Sequence, residues 1–433
     1  MMRRLALISI ATVCLVALAA VISGCGDDGG DPPVTPPDPP VVTGLLVPED
    51  YPTVADAVAA ARADGASREV SLAPGDYTVD LSLEWTVTLS GRGDLLGEVR
   101  LIDSRLTVRA DAADTVRLRG LVFDGGDTVL AVPGDAVVMV DVCRIQNAVL
   151  GIQHTGSGAL ELDTVEFVDC RGSGAIHVAD AAAFELRDCT LRDCQSDEVG
   201  VVRVAGATPM IWQGGRLDSC AGDQAVVSVE EAAGGTIDGV IITFGTPHTV
   251  RHRGDRLTLT DCWFEMQSGT SLGVGAGSRA VVTGCRFRQA AWPVVDIGGE
   301  VDLTACVVFD GLGDGPAVLL GAGGVLTADR LTVHDGAGPL LSLGGGATAD
   351  FTGCLATQLA VPMASGDTSA LTMNACDLWT PGASAWSGLE AVRDAGEGNL
   401  EVDPLYCDGA SGDLRLQDGT PAAAMGALGV GCR

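Results

Sequence analysis

A phrase that returns every 21 to 26 residues between Leu118 and Leu378 limits the fold more than any other feature of the chain. It reads most plainly as Leu259-Thr260-Asp261-Cys262-Trp263-Phe264, then Val282-Thr283-Gly284-Cys285-Arg286-Phe287, then Leu303-Thr304-Ala305-Cys306-Val307-Val308. Extended both ways, the Cys position becomes a column: Leu121, Cys143, Val165, Cys189, Gly215, Val240, Cys262, Cys285, Cys306, Asp329, Cys354 and Cys376. Three residues earlier the chain is apolar (Leu162, Leu186, Leu259, Phe351), and two residues later it is apolar again (Phe167, Leu191, Phe287, Leu331). A fixed period of this size marks a solenoid, in which each unit buries its apolar face only against its neighbours.

The unit is β. Apolar residues alternate, as in Leu160-Glu161-Leu162, and no repeat holds a stretch long enough for a 3.6-residue stripe. A third apolar run follows each phrase, for example Ala175-Ile176-His177-Val178 and Val201-Val202-Arg203-Val204, closed by a glycine-rich turn. Three short strands and three turns per repeat predict an all-β, right-handed parallel β-helix solenoid of about 12 coils, each of about 23 residues. Neighbouring coils would hold parallel Cβ atoms about 4.8 Å apart, beyond the ~3.8 Å a disulfide wants. The column cysteines are therefore expected as buried free thiols. No C-x-x-C pair or His partner recurs with them, so no metal site is expected.

Ahead of the repeats, Met1-Met2-Arg3-Arg4 and the apolar run 5–21 lead to Ile22-Ser23-Gly24-Cys25. A basic start, an apolar core and small residues before a cut describe a secretory signal over residues 1–24. The last four residues resemble the bacterial lipoprotein box, which implies lipidation of Cys25. Gly26 in the next position favours, by the same resemblance, the outer membrane. Residues 25–43 are rich in Pro, Gly and Asp and read as an extended tether.

Residues 53–64 form the one expected helix. Thr53 can cap it, Val54, Ala57, Val58 and Ala61 share a face, and Gly65 stops it. Val70-Ser71-Leu72-Ala73-Pro74-Gly75-Asp76-Tyr77-Thr78 follows. Together these resemble the opening of the pectin-lyase-like β-helix superfamily, where a helix covers the first coil. Val79 stands where pectin methylesterases of that superfamily commonly carry Glu. The β-helix is expected over residues 44–398. The closing segment 399–433, with Asn399-Leu400-Glu401-Val402-Asp403-Pro404-Leu405-Tyr406, resembles that of bacterial surface β-helix proteins. Cys407 and Cys432 lie outside the repeat register. In an oxidising compartment they can bridge and tie down the tail, the alternative being two unpaired thiols.

The chain carries 57 acidic and 26 basic residues, net −31, and no lysine. Removing Arg3 and Arg4 with the signal leaves 24 against 57, or −33. Such a surface repels nucleic acid and anionic membranes, which leaves the lipid anchor as the only membrane attachment. No stretch after Leu46 is long and apolar enough to span a bilayer.

The superfamily resemblance implies carbohydrate chemistry, yet the blocks typical of its esterases, polygalacturonases and pectate lyases are missing. One constellation remains, on the outward positions of the third strand: Gln153, His177, Arg203, Ser228, Arg251, Gly273 and Asp296, with His252 and Arg253 beside it and His248, Glu230 and Glu231 in adjoining turns. His177 or His252 would serve as base, and Arg203, Arg251 and Asp296 would hold an acidic sugar. An ordinary solvated strand face is the bland alternative. Trp212, Trp263 and Trp292 are expected outward as stacking platforms. The pairs Asp124/Asp127 and Asp310/Asp314 suit calcium or, more simply, tight turns; no other cofactor is implied. The leading expectation is a lipid-anchored, extracytoplasmic β-helix that binds glycan or another cell-surface component without catalysis. A lyase or glycosidase acting on an acidic polysaccharide and a purely architectural envelope rod are the alternatives.

Overall fold

A computed structural model describes residues 44–433 other than 66, 67, 94, 95, 292, 361 and 433. The expected signal, Cys25, the tether and Trp292 lie outside the described residues. From residue 44 onward the chain winds as a right-handed parallel β-helix. Its first sheet has 15 strands, from Leu45–Val47 to Leu371–Asn374. The second has 14, from Gly75–Tyr77 to Asp377–Trp379, and the third 13, from Asp80–Leu83 to Ala364–Gly366. The coils beyond the expected dozen include those ahead of Leu118, where Val70, Leu72, Val87 and Leu89 stack without the Cys phrase.

Two left-handed corners shape each coil. The residue before the Cys column has positive φ from coil to coil, at Val142 (49°), Thr164 (55°), Asp261 (50°), Gly284 (67°) and Ala375 (49°). A second such corner follows the short middle strand, at Asn147, Asp169, Asp193 and Gln289. Side chains with a Cβ occupy this conformation at a cost of about 1 kcal/mol or more, so the stacked neighbours must hold the corner.

The corner also explains the cysteines. The Cys262 thiol donates to the Thr260 carbonyl at 3.3 Å and to Ile237 of the preceding coil at 3.5 Å. Cys306, Cys354 and Cys376 repeat both contacts. A small, weakly donating, otherwise apolar side chain adds a second donor to carbonyls that already accept a backbone N–H from the preceding coil, as Thr260 O does from Gly239 N at 3.0 Å. A second thiol ladder, Cys170–Cys194–Cys220, does the same at the other corner. One coil after a glycine, Gln267 takes over with two 2.8 Å bonds from Nε2 to Ile242 and Glu265. All ten corner cysteines are free and buried. Burial pushes the Cys143 and Cys306 thiols up to about 12, which makes them inert.

Two expected positions are corrected. Asp329 does not stand in the Cys column: it ends a first-sheet strand opposite Thr304, and Leu331 packs in the column while Val333 follows two residues on. Trp212 is fully buried, not outward. It sits between Leu186 and Ile237 in the inward column of the first sheet.

The helix Val54–Asp64 forms as read. Thr53 Oγ1 accepts from Asp56 N at 3.1 Å, Gly65 ends it at φ 65°, and Val54, Ala57, Val58 and Ala61 are buried. It packs on Leu45–Val47 and Glu69–Leu72, the first two strands of the first sheet. At the other end, Tyr406–Asp408 and Asp413–Leu416 make an antiparallel hairpin, and a disulfide joins Cys407 to Cys432. This closing segment folds onto the outer face of the second sheet. Leu416, Ala422 and Met425 pack on Leu355, Ala427 N donates to Thr332 Oγ1 at 2.9 Å, and Tyr406 reaches Thr357 at 3.2 Å.

Candidate functional site

The third sheet places the singled-out row in one column. Gln153 pairs with His177, His177 with Arg203, Arg203 with Ser228, Ser228 with Arg251, Arg251 with Gly273 and Gly273 with Asp296. The residues on either side in each strand (Ile176 and Val178, Val202 and Val204) are buried in the core, so alternation turns the row outward. The same alternation removes His252 from the site. It follows outward Arg251, stacks between Val229 and Val274, and is completely buried. Neither ring nitrogen makes a well-formed hydrogen bond, and burial lowers its pKa. An imidazole enclosed in the core cannot take a proton from a ligand outside. His154, in the same inward column four coils earlier, is likewise buried.

Gln153, His177, Arg203, Asp180 and Glu231 line a cleft of about 250 Å³ on the outer face. Arg203 Nε donates to Glu230 Oε2 at 3.0 Å, and Ser228 Oγ holds the other oxygen of Glu230 at 3.3 Å. The left-handed turn after the strand shapes one end. Glu231 Oε2 accepts from Gly206 N at 2.9 Å. A Cβ on Gly206 (φ 69°) would come within 2.1 Å of Asp180 Oδ1, so only glycine lets both carboxylates gather there.

The His177 imidazole lies against the backbone of Gly200 and Ser173. Burial lowers its pKa; the nearby Glu198 pulls the other way, and Arg203 adds to the lowering. Its Nε2 is buried without a well-formed hydrogen bond. The His177 strand position lies one rung, about 4.8 Å, from that of Arg203. Glu198, tied to Ser173 Oγ at 2.9 Å, escaped the sequence reading, because nothing in its turn distinguishes it from other acidic turn residues.

Farther along the row Arg251 hydrogen-bonds Gln224, and burial lowers its pKa. Asp296 is half-buried, which raises its carboxyl, while the His248 imidazole opposes that shift. Trp263 is half-buried, and the Arg286 guanidinium carbon lies 5.6 Å from its ring centre and covers one face of the ring. Asp124 is engaged by Arg100 and by Asn147 Nδ2 at 2.7 Å, and Asp310 accepts from Gln289 at 2.8 Å. Among the described residues no group of three His, Cys, Asp or Glu side chains is placed to hold a metal ion.

No family model and no curated protein sequence matches the chain. Solved structures do. A mannuronic acid specific polysaccharide family 6 lyase from human gut microbiota is 12% identical, with 79% of this chain and 87% of that one aligned at a TM-score of 0.49. The catalytic domain of a GH87 alpha-1,3-glucanase is 12% identical over 80% of this chain and 70% of that one, at 0.48. A DFA-IIIase from Arthrobacter chlorophenolicus A6 is 12% identical over 76% and 98%, at 0.43. At these identities the likeness is one of fold.

Proposed function

We propose that the chain acts on a polysaccharide held across the outer face of the third sheet, and that the His177–Arg203 cleft is the reacting centre of a lyase for acidic sugars. The observation that carries this reading is an imidazole, its pKa lowered by burial, paired one rung from an arginine inside an open cleft. In a uronate the carboxylate is bonded to C5, so one group can neutralise the acid while its neighbour takes the C5 proton. Arg203 would face the carboxylate and make C5–H more acidic; His177 would remove that proton. The electron pair left on C5 forms the C4–C5 double bond as the C4–O bond breaks. The departing oxygen takes a proton back from the imidazolium or from water.

A second reading, retention of glycan without cleavage, has its own support. Arg203 already pairs with Glu230, and Asp180 and Glu231 add negative charge to a chain of net −31. Incubating the full chain with polyuronates and neutral glucans separates the two. Unsaturated uronate ends identify a lyase, retention without new ends identifies a binder, and neither result leaves the cleft without a glycan. We further propose, from the segment ending at Cys25, that the protein is exported and lipid-anchored to the cell envelope, the tether holding the β-helix away from the bilayer.

A further inference from the structure

The His177–Arg203 cleft offers positive charge at one place only. Arg203 is the one arginine among the residues lining it, in a chain without lysine. Glu230 fixes where that charge points: it accepts from Arg203 Nε at 3.0 Å and is itself held by Ser228 Oγ at 3.3 Å. The two terminal nitrogens of Arg203 have no partner among the described residues, which leaves free the fork that fits a carboxylate. The far end of the same cleft has the opposite character. Asp180 and Glu231 converge on Gly206, where Glu231 Oε2 accepts from the backbone N–H at 2.9 Å and Asp180 Oδ1 fills the space a Cβ would need. Both carboxylates are exposed, and neither makes an ion pair among the described residues. Gly206 lies three residues past Arg203, and Asp180 three past His177, so the two ends are about 10 Å apart along the strands.

We infer that the cleft selects a mixed polysaccharide, in which the uronate at Arg203 has an uncharged sugar as its neighbour, and that Asp180 and Glu231 impose this choice. A chain built only of uronates carries a carboxylate on every ring, and a second one would lie against two carboxylates that no cation offsets. The hydroxyls of a neutral ring can instead donate to those oxygens. The inference rests on the polysaccharide reading of the cleft and narrows its substrate. The C4–C5 double bond would still form on the uronate, and the oxygen that departs from C4 would belong to the neutral neighbour.

The test titrates three hexasaccharides into the full chain: oligogalacturonate, alternating galacturonate–rhamnose and alternating glucuronate–N-acetylglucosamine. At low ionic strength the wild type should bind either alternating oligomer about tenfold tighter than oligogalacturonate, the combined effect of two like charges each about 6 Å away in water. Raising the salt should shrink that preference. Asp180→Asn with Glu231→Gln should bring the two kinds of oligomer to within about threefold, through tighter binding of oligogalacturonate. Melting should not change: the backbone at 180 has φ 59°, which Asn adopts readily, and Gln keeps an oxygen for Gly206 N. Arg203→Ala should weaken all three oligomers. A wild type that binds oligogalacturonate as tightly as the alternating oligomers, or a preference that persists at full size in the double variant, overturns the selection and leaves the cleft standing. Binding that survives Arg203→Ala unchanged, or no binding of any oligomer, overturns the cleft itself.

Discussion

Replacing Asp377 by Asn should stabilise the protein at neutral pH, although the substitution removes a charge from a fully buried site. Asp377 starts the last strand of the second sheet, and the closing segment covers it completely. Its Oδ1 accepts from Val402 N at 3.0 Å; its Oδ2 is buried with no partner. Burial, reinforced by the nearby Asp403 and Glu401, pushes its pKa from 3.8 up to about 6. An acid whose pKa is raised in the fold binds its proton more tightly folded than unfolded. Stability from this group is therefore intact below about pH 4, falls as pH rises towards 6, and stays low above that. A difference of about 2 units corresponds to about 3 kcal/mol at most. Asn keeps an oxygen for Val402 N and cannot ionise. Urea unfolding of variant and wild type side by side should give a stability difference near zero at pH 4 that grows to as much as about 3 kcal/mol at pH 7.5. Asp124 and Asp135, whose pKa values are lowered, tilt the pH profile the other way in both proteins and cancel in the difference. An Asn variant less stable than wild type at pH 7.5, or a difference that does not change with pH, would refute the reasoning.

Two further outcomes are expected. Val54→Asp with Val58→Asp puts two carboxylates into the buried face of the N-terminal helix; if that helix caps the first coil, light scattering should report edge-to-edge association of the exposed strands, and a monomeric variant with unchanged melting would deny it that role. Cys25→Ser should release the protein from the membrane fraction or stall it as precursor, and continued membrane partitioning with no acyl label on the parent would rule out the anchor.

The architecture was legible because stacking repeats one environment coil after coil, so even imperfect columns average to the right answer. Leu118, Val140, Leu162, Leu186 and Leu259 stand where the phrase put them. Individual coils were less legible. In the coil that ends near Leu331 the turn is longer, and counting from the Cys position lands on Asp329, two residues early. Trp212 reads as an amphipathic surface residue, yet its indole fills an inward column that Leu and Ile occupy in the next coils. The cysteines looked like small apolar fillers. Their donation to corner carbonyls became visible only with the left-handed turns in place. Of the site, the row itself follows from strand alternation, and that rule places His252 inside once Arg251 points out. Glu198 and Gln224 depend on turns of unequal length, which no period predicts.

The reacting cleft is tested most directly by comparing wild type, His177→Ala and Arg203→Ala on one polyuronate, with retention and unsaturated ends measured in the same samples. Outward substitutions of this kind usually change stability by less than about 0.5 kcal/mol, so all three should fold. Arg203→Ala should lose most of the retention, and the retention of the wild type should weaken with salt, because exposed charges are screened beyond about 8 Å at physiological ionic strength. His177→Ala should still be retained but form no unsaturated ends. Unsaturated ends produced by His177→Ala at the wild-type rate, or retention that survives Arg203→Ala unchanged, would contradict the account.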